Sequence, residues 1–401
     1  LEDGGMKRVP EPRPEDTASG VDLSGLAIEG LARGGAPSAE VVDAFLTGRD
    51  FPLVEGGRVT FVFRGEADDV RLRHWVFGLP SSVPLARVRG SDLWYHVLEL
   101  PEGSRVEYKL EVTRGREVQW IQDPLNPHLA RDPFGANSVA HGPGYEVPAW
   151  TRPDPAAPEG TMEDRVFRSA ALGGARQVTI YRPARFRESR RYPLLLVHDG
   201  GDYVRYAGLK TVLDNLIHRL EIPGMIAALM HPPDRMEQYR ASEAHAHYLT
   251  DELVPQLERE LPLVGTPEGR CLMGASLGAV ASLAAAVHRP GFYGRLLLQS
   301  GSFAFSDIGG HGRGPVYDPI ADFVNAYRRA PSAVSERVFV SCGTYESLIY
   351  ENRSLVPLLQ KTGMDVRFVE ARDGHNWENW RDRLREGLSW LFPGPLWLVY
   401  E

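Results

Sequence analysis

Beyond about residue 163, short apolar runs alternate with helix-forming stretches, and this alternation narrows the fold more than any other feature of the chain. Val178-Thr179-Ile180-Tyr181 is followed by Tyr192-Pro193-Leu194-Leu195-Leu196-Val197, a helix near Leu209 to Leu220, Met225-Ile226-Ala227-Ala228-Leu229-Met230 and a helix near Ala246 to Leu261. Then come Gly269-Arg270-Cys271-Leu272-Met273, a small-residue helix over Ala279 to Val287, Leu296-Leu297-Leu298 and Arg337-Val338-Phe339-Val340-Ser341. A helix near Ser354 to Lys361, Val366-Arg367-Phe368-Val369 and a final helix near Asn379 to Leu391 complete the series. Strands this apolar leave no face for water, so the pattern predicts an α/β fold with a mostly parallel sheet covered by helices on both faces.

Gly274-Ala275-Ser276-Leu277-Gly278 sits between one of these strands and the helix after it. Small residues on both sides of Ser276 let strand and helix approach closely. A sharp turn there lifts the serine hydroxyl above the carboxyl edge of the sheet and aims the N–H of Leu277 at a reacting oxygen. The spacing alone is weak; the flanking strand and helix make it a nucleophile candidate.

A serine needs a base, and the base needs a partner that fixes its tautomer. His375, in Arg372-Asp373-Gly374-His375-Asn376-Trp377, follows the last strand and is placed at the same sheet edge. Glu346, in Ser341-Cys342-Gly343-Thr344-Tyr345-Glu346, leaves that edge between serine and histidine. Asp365 precedes its strand and so falls at the other edge, and Asp373 is too near His375 in sequence to reach back. The second oxyanion donor is expected in His198-Asp199-Gly200-Gly201-Asp202-Tyr203, where paired glycines permit a tight backbone approach, with Gly201 as the candidate. His245 and His247 stand two apart on a predicted helix and diverge, so no metal ligation is expected of them.

Composition bounds the rest. At 401 residues the chain is long enough for two domains, and 43% hydrophobic with 24% charged residues is a globular composition. No run of about 18 apolar residues exists to span a bilayer. A net charge of −8 argues against general nucleic-acid binding. Cys271 and Cys342 both lie in apolar runs and read as buried thiols. From Arg58 to about Ala140, Val59-Thr60-Phe61-Val62-Phe63, Leu93-Trp94-Tyr95-His96-Val97 and Val106-Glu107-Tyr108-Lys109-Leu110 predict an antiparallel sandwich, after a short helix around Ser38 to Thr47. Prolines from Pro143 to Pro158 mark the boundary. Residues 1–20, polar and charged, are expected to be disordered, with Leu1 to Gly5 a remnant or a processed edge. The lack of a signal-peptide pattern favours a cytoplasmic location.

At this point the chain resembles the enterochelin (enterobactin) esterase family of the esterase D-like α/β-hydrolases, from about residue 37 onward. The markers are Leu196-Val197-His198-Asp199-Gly200-Gly201-Asp202-Tyr203, Asp234-Arg235-Met236-Glu237-Gln238-Tyr239, Gly274-Ala275-Ser276-Leu277-Gly278, Gln299-Ser300-Gly301-Ser302, Gly343-Thr344-Tyr345-Glu346 and Gly374-His375-Asn376-Trp377. Leu93-Trp94-Tyr95 and Asp123-Pro124-Leu125-Asn126-Pro127 likewise resemble the immunoglobulin-like module that precedes the hydrolase domain in that family. The resemblance implies an immunoglobulin-like β-sandwich over 21–145, a Pro-rich linker over 146–162 and an α/β-hydrolase domain over 163–401. It implies hydrolysis of ester or lactone bonds by Ser276, His375 and Glu346 without cofactor or metal, on a small-molecule ester or a ferric catecholate siderophore. Feruloyl, acetyl or general carboxyl esters are the alternative substrates, with weak glycan contact by the N-terminal domain. Arg235, Tyr203 and Trp377 are the candidate substrate contacts, an ion pair with Glu237 or Asp234 being the other reading of Arg235. The region between Ser302 and Val334, with its glycine-rich Gly309-Gly310-His311-Gly312-Arg313-Gly314, is expected to form a mobile rim that could reshape substrate preference. No nucleic-acid or membrane partner is expected, a homo-oligomer is compatible with the sequence, and the apolar tail Pro395 to Tyr400 is expected to pack against a neighbour.

Overall fold

A computed structural model describes residues 21–306 and 310–398. The disorder expected of residues 1–20 falls outside these, as do Gly309 and the last residues of the tail. The chain divides into two units, Leu1–Ala130 with Ala136–Glu146 and Arg131–Gly135 with Val147–Glu401.

The first unit holds two β-sheets. One pairs Leu53–Glu55, Arg58–Arg64, Leu93–Glu99 and Ala86–Arg87 in that order; the other is built around Asp69–His74, Arg105–Arg114 and Gly135–His141. Along Asp69–His74 burial alternates, with Val70, Leu72 and His74 turned inward, as a sheet with one wet face requires. The Phe61 ring meets Tyr108 edge-on at 4.8 Å. Tyr108 donates to Asp123 at 2.6 Å and accepts from the Asn126 side chain at 3.0 Å. Asp123 and Asn126, two residues of the Asp123 to Pro127 marker, thus satisfy a buried hydroxyl. Ser38 caps the helix Ala39–Leu46, which buries Val42 and Phe45 beside Phe51 and Val62.

The second unit is an eight-stranded sheet. Its strands are β1 (Thr161–Ser169), β2 (Gly174–Arg182), β3 (Leu194–Val197), β4 (Ile226–His231), β5 (Arg270–Ala275), β6 (Arg295–Gln299), β7 (Arg337–Gly343) and β8 (Asp365–Ala371). They lie in the order β1-β2-β4-β3-β5-β6-β7-β8. Pairing is antiparallel from β1 through β2 to β4 and parallel from β4 to β8. The helices are α1 (Gly200–Ala207), α2 (Leu209–His218), α3 (Arg235–Tyr239), α4 (Glu243–His247), α5 (Val254–Glu260), α6 (Leu277–His288), α7 (Asp318–Arg329), α8 (Ile349–Gln360), α9 (Trp377–Leu391) and α10 (Pro395–Leu398).

Successive residues of the central strands feed opposite cores. Leu272 packs with Leu196, Leu298, Val280 and Leu253 on one face. Cys271 and Met273 pack with Val197, Leu297, Val212 and Leu388 on the other. Each fully buried side chain of this kind contributes about 1.5–3 kcal/mol, and both faces draw on every central strand. Cys271 and Cys342 are buried free thiols. No helix among the described residues is long and apolar enough to cross a membrane.

Three expectations need correction. The helix expected from Ala246 begins at Glu243, capped by Ser242, and is interrupted by a π-helical turn over Tyr248–Leu253 before α5. The segment expected to be a mobile rim contains the regular helix α7, whose Ile320, Val324 and Tyr327 are buried. The tail packs on its own unit, with Leu396 N–H donating to Leu220 O at 3.0 Å and the Arg385 guanidinium 6.0 Å from the Trp397 ring.

Candidate active site

β5 ends at Ala275 and α6 begins at Leu277, so Ser276 alone carries the reversal, with φ 57° and ψ −117°. A non-glycine residue there stores about 1–3 kcal/mol of strain. The flanking glycines explain how the turn closes. A Cβ on Gly274 would lie 2.3 Å from the Gly278 backbone, and one on Gly278 would lie 3.1 Å from the His198 side chain. Gln299 O accepts from Ser276 N–H at 2.9 Å, and Ser276 O accepts from Ser302 N–H at 3.2 Å. Those two bonds tie the elbow to the end of β6. Leu277, as the first helical residue, has an N–H without an intrahelical acceptor.

His375 follows β8 in a loop held open-ended by its neighbours. Asp373 accepts from Gly374 N–H at 2.7 Å and from the Asn376 side chain at 2.8 Å, while Asn376 caps α9 through Asn379 N–H. Asp373 is therefore engaged within its own loop. Glu346, buried beyond the end of β7, lies 2.6 Å from His375 Nδ1 through Oε2. Its Oε1 accepts from Ser300 Oγ at 2.6 Å and from Gly343 N–H at 2.8 Å. Burial pushes the carboxyl up, but the hydrogen bond and charge of His375, with Ser300 and Gly343, outweigh it and leave the group below the usual glutamate range. An ionised Glu346 makes Nδ1 the donor and leaves Nε2 as the acceptor. The Trp380 ring stands edge-on to His375 at 5.0 Å, and its Nε1–H donates to Ser300 Oγ at 2.9 Å.

Ser276, His375 and Glu346 line one open cavity of 540 Å³ with Ser302, Arg313, Tyr317, Ser347 and Leu348. The Ser276 hydroxyl shares a hydrogen bond with Ser302 Oγ at 3.1 Å. Among the described residues it is Ser302, not His375, that Ser276 bonds, and such contacts often tighten only with substrate bound. Arg313 is paired with Glu351, whose carboxyl burial pushes up to about 7 against the pull of Arg313. Ser300, Ser302, Trp380 and Arg313 are not assigned to the site by the sequence. The signal for the first two was present, since Gln299-Ser300-Gly301-Ser302 closes β6 at the edge where Ser276 emerges.

The other candidates stand elsewhere. Tyr203 is fully buried, donates to Gln299 Oε1 at 2.7 Å and meets Trp377 edge-on at 5.1 Å. Trp377 is buried against Tyr206 and Trp380. Both are therefore core residues behind the site and do not touch what enters the cavity. Arg235 grips Asp199 with Nε 3.0 and 2.8 Å from the two carboxylate oxygens, while Asp234 caps α3 and Glu237 pairs with Arg240. Neither acidic neighbour is its partner. Asp199 takes a left-handed conformation, φ 53°, at the start of α1. Gly200 and Gly201 follow it under Leu229 and His231, where added Cβ atoms would lie 2.5 and 2.8 Å from their neighbours. Gly201 is in the first turn of α1, among N–H groups with no intrahelical acceptor, and is not part of the cavity wall. Behind the elbow, His198 Nε2 lies 3.0 Å from His245 Nε2, and His198 Nδ1 lies 3.0 Å from Ser282 Oγ.

Comparison with known proteins agrees with this architecture. A family described as "Putative esterase" matches residues 169–391. The iron(III) enterobactin esterase of Dickeya dadantii is 25% identical over 398 residues, covering 86% of this chain and 90% of its own. That of Escherichia coli K12 is 24% identical, covering 76% and 80%. The solved ferric enterobactin esterase from Salmonella typhimurium aligns with a TM-score of 0.69 at 22% identity, over 83% of this chain and 93% of that one. The Shigella flexneri enterobactin esterase, solved in the presence of enterobactin, aligns with a TM-score of 0.68 at 22% identity over 83% and 92%. At such identities the solved structures establish the fold.

Proposed function

Since the chain belongs to this esterase family and is a carboxylic ester hydrolase of the serine type, we propose that Ser276 is its nucleophile, His375 its general base and Glu346 the acid that orients the base. The observation that carries the proposal is the 2.6 Å contact of Glu346 with His375 Nδ1 in the wall of the cavity that Ser276 also lines. In this scheme Nε2 takes the Ser276 proton as Oγ attacks the ester carbonyl carbon. The carbonyl π pair moves onto oxygen, where the N–H of Leu277, the residue after the nucleophile, receives the negative charge. Collapse of the tetrahedral adduct breaks the ester C–O bond, and His375 returns the proton to the departing alcohol. Water then repeats the sequence on the acyl-enzyme and frees the acid.

The substrate we assign is a catecholate siderophore lactone of the enterobactin type. Support comes from relatives named for that activity that match most of this chain, and from a cavity open enough to admit more than a short acyl group. The test is turnover by purified wild type and Ser276→Ala on p-nitrophenyl esters, methyl ferulate, and iron-free and ferric enterobactin. Ser276-dependent opening of the trilactone, with slow simple esters, is expected. Fast simple esters with an untouched trilactone would replace the siderophore assignment by a feruloyl-type or general esterase. Undiminished turnover by Ser276→Ala would remove the nucleophile itself.

A further inference from the structure

On the second unit, a group of side chains outside the Ser276 cavity has the composition of a metal site. Glu243 and His247 stand four apart on α4 and so share one face; His288 ends α6, which packs beside α4. One ligand atom from each of Glu243, His247 and His288 lies within 4.8 Å of the other two. The imidazoles of His247 and His288 meet edge to face at 4.4 Å.

We propose that Glu243, His247 and His288 bind a zinc-type divalent transition-metal ion that clamps α4 to the far end of α6. Two imidazoles and a carboxylate are the donor set zinc takes when a fourth position is left to water, whereas magnesium and calcium prefer oxygen throughout. Asp251 lies 2.7 Å from His247 Nδ1. By accepting that proton it leaves Nε2 as the ligating nitrogen, the carboxylate–histidine arrangement that commonly orients metal-bound imidazole. Arg289 holds the other oxygen of Asp251 at 3.1 Å, so this carboxylate is anchored from behind. His288 also closes a 12-residue helix, whose terminal carbonyls present partial negative charge to a cation. Zinc ligands at about 2.0–2.1 Å stand roughly 3.4 Å apart in a tetrahedron. Reaching that from the observed spacing takes torsional adjustment of surface side chains, Glu243 and His247 being exposed.

The clamp has a mechanical consequence. α6 begins at the Ser276 elbow and α4 carries His245, the partner of His198 in the loop before Gly201. An ion at the outer ends of both helices would stiffen the frame behind the reaction centre while remaining outside it.

The test is calorimetric titration of the metal-stripped full chain with Zn²⁺, with visible absorption of the Co²⁺ form reporting coordination geometry. One ion per chain is expected, with a raised thermal unfolding midpoint that a chelator reverses. His247→Ala and His288→Ala are expected to weaken binding at least about 100-fold, and Asp251→Asn, one shell out, about 10- to 100-fold. Glu243→Gln, nearly isosteric, guards against a general folding effect and is also expected to weaken binding. His375→Ala is expected to bind normally. Absence of stoichiometric binding, wild-type affinity in either His→Ala variant, or loss of binding in His375→Ala would each overturn the proposal.

Discussion

At the residue scale, Ser276 joins its chemistry to a backbone cost. Its φ of 57° is one that glycine adopts freely and serine does not, so the strain belongs to the position and not to the hydroxyl. Ser276→Gly and Ser276→Ala are both expected to be inactive, but the glycine variant should be about 1 kcal/mol the more stable in urea denaturation, after allowing for glycine's greater unfolded-state freedom. Equal stabilities would mean the elbow is not strained. The choice between the two acidic candidates is also a residue question. Glu346→Gln is expected to lower kcat about 10³- to 10⁴-fold, the scale seen when a triad acid loses its charge. Asp373→Asn, whose parent carboxylate serves Gly374 and Asn376, should stay within about tenfold of wild type; steady-state kinetics with any turned-over ester decides between them. The elbow and the loop histidine were legible because their spacing from strands is local. Arg313 in the cavity wall and Trp380 behind His375 were not, because they come from separate elements whose approach no local pattern encodes.

At the scale of elements, the end of β3, α4 and the first turns of α6 are joined by the buried His198–His245 pair. Burial pulls His198 down to about 3 and His245 well below the ordinary imidazole value. In the unfolded chain both would titrate near 6.5. The unfolded state therefore takes up protons first as pH falls. The stability held with both rings neutral is intact above about pH 6.5 and is lost progressively toward the folded value. At pH 5 the loss from His198 alone is about 2 kcal/mol, at about 1.4 kcal/mol per unit. Urea unfolding at pH 7 and pH 5 is expected to show a drop about 2 kcal/mol smaller in His198→Asn than in wild type, the other histidines being common to both. An identical drop in the two proteins would clear the pair of responsibility. The same region shows where periodicity misleads. The helix expected from Ala246 is α4, a π turn and α5 in succession. A π turn adds a residue to a helical turn without leaving a distinct sequence mark, so the faces before and after it fall out of phase. His288 reaches His247 for a different reason, since α6 packs beside α4 and brings the two rings to 4.4 Å, an approach that no local spacing encodes.

At the scale of the molecule, the sequence by itself determined the fold class, a mostly parallel sheet covered by helices on both faces. Leu194 to Val197, Cys271 to Ala275 and Val338 to Val340 are apolar on both faces, and only a sheet covered twice removes such strands from water. It also determined that Ser276 and His375 leave the sheet at one edge, because each follows a strand of the same direction. The tertiary structure decided what converges there. It set Arg235 on Asp199, sank Tyr203 and Trp377 into the core, and brought Arg313, paired with Glu351, to the cavity wall. Strand and helix periodicity come from short-range geometry that the chain carries everywhere. Which side chains meet across separate elements depends on packing, where one buried ring or one ion pair decides whether a residue faces the cavity or supports it from behind.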